Sequence, residues 1–145
     1  MTDTPETPDT RITRVIETAL YCDDLPCARK FYADVLGFAV MLESPRLVAL
    51  NVGGESVLLL FQRGMSEDGE VTPGGTVPGH GAHGTQHAAF AIALDAVSHW
   101  TARLTSAGIP IESTVHWPRG GVSLYFRGPD GHSLELLTER SWPIC

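Results

Sequence analysis

The chain has 145 residues, 43% of them hydrophobic and 19% charged, with a formal net charge of −7, which fits one globular domain or two half-size units sharing a core. That charge, with no basic patch, argues against neutralising nucleic-acid phosphates, and no apolar run approaches the ~20 residues that cross a bilayer. The three cysteines, Cys22, Cys27 and Cys145, are odd in number and lack a C-x-x-C spacing, so reduced thiols in the cytoplasm are expected rather than a disulfide framework or zinc ribbon.

Residues 1–11 are rich in Thr, Pro, Asp and Glu, with neither the basic start nor the apolar centre of a signal peptide, and are expected to form a disordered tail. The remainder, 12–145, is expected to be a single domain. Arg14–Cys22 alternates as a strand, with Ile16, Thr18 and Leu20 on one face and Glu17, Ala19 and Tyr21 on the other. Asp24 is placed to cap a helix with Pro26 in its first turn. Ala28, Phe31, Tyr32, Val35 and Leu36 recur at helical spacing, and Gly37 ends the run. Strands are predicted over 38–42, 46–52 and 56–61. The stretch 63–86 is Gly- and Pro-rich and long for a connection, so it is expected to be functional or disordered.

The pattern then restarts. His87–Leu94 reads as a strand with His87, Ala89, Ala91 and Ala93 on one face. Asp95 is placed to cap a second helix that Gly108 ends, and 109–115 is a further strand. The closing stretch V-S-L-Y-F-R-G-P-D-G-H-S-L-E-L-L (122–137) is two strands about a Gly-Pro-Asp-Gly turn, with His132 as a turn residue. Each half therefore reads strand, helix, three strands: module one over 12–62, a connection over 63–86, module two over 87–140. Glu17 falls on His87 at an offset of roughly 70 residues, and G-E-S-V-L-L-L (54–60) aligns with G-H-S-L-E-L-L (131–137), which sets Leu58 against Glu135.

Two copies of one unit tend to pair about a pseudo-twofold axis, so Glu17 and His87 take equivalent places. The small residues beside His87 suit a cleft. An isolated carboxylate such as Glu135 in an apolar strand must be solvated, paired or metal-bound. Glu17, His87 and Glu135 meeting in one cleft would make a divalent cation site suited to Mn, Fe, Ni, Co or Zn, with positions left open for substrate. Tyr125, Arg127, His80, Trp117 and Arg119 are candidate substrate contacts. His80, His83 and His87 form an H-x₂-H-x₃-H run that could also be read as a separate metal tract.

E-T-A-L-Y-C-D-D-L-P-C-A-R-K-F-Y-A-D-V-L-G-F (17–38), H-A-A-F-A-I (87–92) and S-L-Y-F-R-G-P-D-G-H-S-L-E-L-L (123–137) together resemble the vicinal oxygen chelate superfamily. That group holds glyoxalase I, extradiol dioxygenases and the fosfomycin- and bleomycin-resistance proteins. The resemblance implies an α+β fold, two βαβββ modules forming one curved mixed sheet around a cleft. It implies a homodimer, and a metal-dependent lyase or dioxygenase whose metal ligands carry over onto Glu17, His87 and Glu135. A fourth ligand of the glyoxalase I kind has no candidate among Val57, Leu58, Leu59 and Leu60. The alternative it leaves open is a metal-free, bleomycin-resistance-like protein that binds a small molecule or drug in the same cleft.

Overall fold

Each half of the chain closes its own four-stranded sheet, in the computed structural model, which describes residues 3–4 and 6–144. Met1, Thr2 and Pro5 of the expected tail, and Cys145, lie outside the described residues. Module one runs β1 (Glu17–Cys22), α1 (Leu25–Lys30), β2 (Ala39–Glu43), β3 (Leu47–Val52) and β4 (Ser56–Gln62). Asp24 caps α1 as its position requires, its carboxylate accepting the Cys27 N–H at 3.1 Å. The helix continues as a π-helical turn over Phe31–Val35, whose wide winding turns both Phe31 and Tyr32 into the core. Gly37 then leaves the helix at φ +80°, a conformation that costs a residue with a Cβ.

Between the modules, 63–86 is ordered rather than structureless. It carries a hairpin, β5 (Glu70–Thr72) and β6 (Gly75–Val77), that sequence alternation does not reveal because the strands are only three residues long. Arg63 donates to the carbonyls of Ala82 and Gly84. Ser66 holds His80 from both sides, its carbonyl accepting the His80 N–H at 2.9 Å and its hydroxyl donating to the His80 carbonyl at 2.7 Å.

Module two repeats the order with β7 (His87–Ile92), α2 (Val97–Ser106), β8 (Ser113–His116), β9 (Val122–Arg127) and β10 (Ser133–Thr138). Asp95 does not cap α2. The chain enters through a 3-10 turn over Leu94–Ala96, so the first helical residue falls beyond its reach and no side chain caps that end. The strand expected over 109–115 is confined to the four residues of β8.

The two sheets have the same order, β1-β4-β3-β2 and β7-β10-β9-β8. First and last strands of each module are parallel neighbours and the other pairs antiparallel. This is the expected α+β architecture of two βαβββ modules, although no ladder joins β1 to β7 among the described residues. Register also corrects the repeat. Glu17 pairs with Val57 and His87 with Ser133, so the counterpart of Glu135 is Leu59, not Leu58. A one-residue slip in alignment moves a side chain to the other face, and Leu58, 1% exposed, matches core residue Leu134.

One apolar core spans both modules. Phe31 meets Phe126 at 6.5 Å between ring centroids and Phe38 meets Phe90 at 5.1 Å, each large side chain contributing about 1.5–3 kcal/mol by burial. Cys22 is buried in this core, where desolvation first and the neighbouring Asp130 second push its thiol upward, so it is an inert packing group. No helix among the described residues is long and apolar enough to cross a membrane.

Polar contacts at the module junction centre on His132. It closes the β9–β10 turn, its carbonyl accepting the Gly128 N–H, and its side chain is fully buried. Its Nε2–H donates to the Tyr21 carbonyl at 2.7 Å and its Nδ1 accepts the Gln86 N–H at 2.9 Å. Gln86 in turn accepts the Tyr21 N–H through its side-chain oxygen at 3.2 Å. Thus both outward main-chain groups of Tyr21, on an edge strand, are answered, one by His132 of module two and one by Gln86 at the end of the connection. Replacement of His132 by Ala removes the partners of two part-buried main-chain groups and leaves a cavity, and is expected to lower stability by about 2–4 kcal/mol, read as a fall in the urea midpoint at unchanged m-value.

Candidate functional site

The face of module two away from the core is built by alternation. Because β7 lies parallel to β10 with His87 opposite Ser133, Glu135 stands one pair further along on the same side as His87. Ala89, its direct partner, leaves it room, and Tyr125 and Ser123 reach that side from β9. His87, Glu135 and Tyr125, with Trp117 and Arg119 from the turn before β9 and Trp142 beyond β10, line a pocket of about 470 Å³.

Glu135 is 6% exposed, so the solvated outer face that its strand allows is not where it lies. Its Oε2 accepts the Ser123 hydroxyl at 2.5 Å, and Ser123 accepts the Trp117 indole N–H at 2.8 Å. Its Oε1 faces His87 Nε2 at 3.3 Å. The opposite imidazole nitrogen, Nδ1, bonds the Ser133 carbonyl at 2.8 Å. A carbonyl only accepts, so Nδ1 carries a proton and Nε2 is the ring atom turned toward the carboxylate. A ring nitrogen and a carboxylate oxygen this close call for a positive charge between them, either a proton on Nε2 or a cation.

The pair fits a divalent cation. Bonds of about 2.1 Å at an angle near 100° hold their donor atoms about 3.2 Å apart, close to the observed 3.3 Å. The outward atoms of both side chains are tied by hydrogen bonds, as those of metal-binding histidines and carboxylates usually are. Among the described residues, however, no three His, Cys, Asp or Glu side chains gather closely enough to hold an ion.

Glu17 stands on the equivalent face of module one. It borders two further pockets: one of about 330 Å³ along the β1 and β7 edges, shared with His87, and one of about 430 Å³ shared with Tyr21 and His80. His80 is held there by the Tyr21 hydroxyl at 2.6 Å and by edge contact with the Phe61 ring at 4.5 Å. The 63–86 segment therefore brings His80 to Glu17's face, not to the His87 and Glu135 pocket. It is also not part of a metal tract with His83 and His87: the nearest acid to His83 is Glu67, at 3.8 Å, while His87 turns to Glu135. Arg127 shares the parity of Tyr125 but lies outside the pocket lining, because Glu112 takes its guanidinium at 2.8 and 3.2 Å and the Gly131 carbonyl accepts a third bond. Trp117 and Arg119 do line the pocket.

Three contributors were not singled out from sequence: Ser123, Trp142 and the His132 junction. Ser123 carried a signal, since it shares parity with Tyr125 opposite the Glu135 strand. Trp142 carried none, because it follows the last strand in an irregular segment.

The chain matches the family model described as the Glyoxalase/Bleomycin resistance protein/Dioxygenase superfamily over residues 14–136. Among solved structures it resembles a lactoylglutathione lyase from Agrobacterium tumefaciens, 36% identical, with a TM-score of 0.81, covering 95% of this chain and 100% of that one. An integron cassette protein from the mobile metagenome of Halifax Harbour sewage outfall is 25% identical, with a TM-score of 0.70 over 88% of this chain and 99% of the other. A glyoxalase/bleomycin resistance protein/dioxygenase from Nocardioides, 21% identical with a TM-score of 0.67 over 94% and 92% of the two chains, shares the fold. None of the curated proteins compared with the chain matches it.

Desolvation, and then the nearby Glu135 charge, raise the Tyr125 hydroxyl above the usual tyrosine range. The folded protein thus keeps this proton at a pH where the unfolded chain, titrating near pH 10, has released it. Stability from this group is full below pH about 10 and is lost as pH rises through the folded value. Tyr125→Phe is expected to remove one component titrating above the usual tyrosine range from the 295 nm absorbance titration and to flatten the alkaline decline in stability.

Proposed function

The chain belongs to the glyoxalase, bleomycin resistance protein and dioxygenase superfamily, and on that footing we propose that it is a metal-dependent enzyme of the lyase or dioxygenase kind. Its substrate is a small molecule that meets a divalent cation through two adjacent oxygens. The observation that carries this reading is the facing of His87 Nε2 and Glu135 Oε1 at 3.3 Å with their remaining atoms pinned.

When bound, the cation supplies Lewis-acid stabilisation of negative charge on the substrate oxygens. The protein's residues do the rest. His87 and Glu135 hold two adjacent coordination positions. Tyr125, held in its protonated form, donates a hydrogen bond to an oxyanion as it develops. Trp117, Trp142 and Leu137 give the site apolar walls, and Arg119 faces an anionic part of the substrate.

The third ligand is Glu17 of the partner subunit in a homodimer. Within one chain Glu17 lies on the other sheet and outside any three-membered ligand cluster, while both pocketed faces stand open. Leu59, where a glyoxalase I-like fourth ligand would stand, carries no donor atom, so the proposed set is three residues. The likeness to a lactoylglutathione lyase makes that lyase reaction the first to assay.

A second reading, a metal-free binding protein for a small molecule or drug, is favoured by the two indoles that line the pocket and by the absence of a gathered ligand set among the described residues.

Metal analysis of tag-free protein, offered Mn²⁺, Fe²⁺, Ni²⁺, Co²⁺ and Zn²⁺, separates the two. The enzyme reading expects about one ion per chain, lost in His87→Ala and Glu135→Gln. Protein that takes up none of the five while still binding small ligands supports the binding module instead. Mixing Glu17→Ala with His87→Ala chains is expected to restore about a quarter of the sites, since only mixed dimers pair an intact module one with an intact module two. No recovery places the third ligand within the chain.

A further inference from the structure

We propose that the Trp117 indole and the Ser123 hydroxyl are positioning groups for Glu135, a donor relay through which the pocket wall sets how this carboxylate meets a cation; the cation part rests on the metal-binding reading above. The direction of the relay follows from chemistry. An indole N–H only donates and a carboxylate only accepts. Ser123 Oγ, between them at 2.8 and 2.5 Å, must therefore accept from Trp117 and donate to Glu135. Ser123 is fully buried and Glu135 nearly so, so water does not compete with the relay for either group.

The relay divides the two carboxylate oxygens. Oε2 is occupied by the hydroxyl, while Oε1 is left toward His87 Nε2. Glu135 is thereby held as a single-oxygen donor, with its plane set by β9. Without the hydroxyl the buried Oε2 loses its partner and the carboxylate is free to turn both oxygens toward the cation or away from it.

The far end of the relay is the pocket itself. Trp117 is 41% exposed and lines the cavity. A tight turn fixes its backbone, with Trp117 N–H donating to the Gly121 carbonyl at 2.8 Å and the Gly120 N–H returning to the Trp117 carbonyl at 2.9 Å. A ligand that packs on the indole holds or displaces the N–H that orients Ser123. Pocket occupancy and cation affinity are then linked, and each alters the other by the same factor.

The full chain is titrated with Co²⁺, followed by calorimetry and by the visible bands that report coordination geometry. Ser123→Ala is expected to bind Co²⁺ about 10–100-fold more weakly with altered bands. Trp117→Phe keeps an aromatic wall but lacks the N–H, and is expected to lose a smaller factor. The double variant should bind no more weakly than Ser123→Ala alone, because the indole acts through the hydroxyl; a merely structural pair would lose affinity additively. Equal Co²⁺ affinity in wild type and Ser123→Ala overturns the relay and leaves metal binding standing. If wild type takes up no Co²⁺, the metal reading fails by itself, and the relay is judged from the Trp117 indole N–H resonance, assigned by its loss in Trp117→Phe. Displacement of that resonance in both Ser123→Ala and Glu135→Gln upholds the positioning of Glu135, and indifference to both overturns it.

Discussion

The parallel pairing of the first and last strands of each module is the constraint on which the site depends. In module two it sets His87 beside Ser133 and so brings Glu135 onto the same face one pair further along. Two residues separated by most of a module become neighbours without any special loop. The same pairing in module one places Glu17 beside Val57 and Leu59, where no second donor stands. The duplication is therefore symmetric in backbone and asymmetric in chemistry: the first and last strands of module two carry an imidazole and a buried carboxylate, those of module one the exposed Glu17 with no strand partner that could share a cation.

Burial gives that asymmetry its force. Glu135 is nearly inaccessible to water, yet its two oxygens are treated differently, one satisfied by Ser123 and one turned to His87. His87 is likewise tied at Nδ1 to the backbone of the strand that carries Glu135. Each side chain has one end anchored and one end presented. Preorganisation of this kind favours a cation or a proton between them at little entropic cost, and it is this local feature, more than the fold, that supports the proposed chemistry.

The modules are held in register by a different set of contacts. His132 and Gln86 satisfy the free edge of β1 at Tyr21, and the aromatic contacts Phe31–Phe126 and Phe38–Phe90 join the two halves of the core. Gln86 immediately precedes His87, so the junction and the site share a strand end. The long 63–86 connection adds to this arrangement by bringing His80 to Tyr21 and Phe61. It equips module one's face with a hydrogen-bonded aromatic and imidazole pair near Glu17.

Much of this was legible in the residues. Period-two and period-3.6 spacing marked the modules, the Asp24 cap and Gly37 marked the first helix, and alternation alone put His87 and Glu135 on pocket-facing sides. Where local signals misled, tertiary context was the reason. Asp95 has the right chemistry for a cap but sits in a 3-10 turn, and Arg127 has the right parity but meets Glu112 first. Aligning 54–60 with 131–137 by residue type slipped the register by one, because hydrophobic runs do not report which face is buried. Composition and periodicity by themselves determined two βαβββ units, a shared core and the identity of the polar residues on their outer faces. Only the folded chain decided which of those residues meet, that His132 is a buried clamp, and that Ser123 and Trp117 stand behind Glu135, since strand pairing and burial join residues that no local pattern connects.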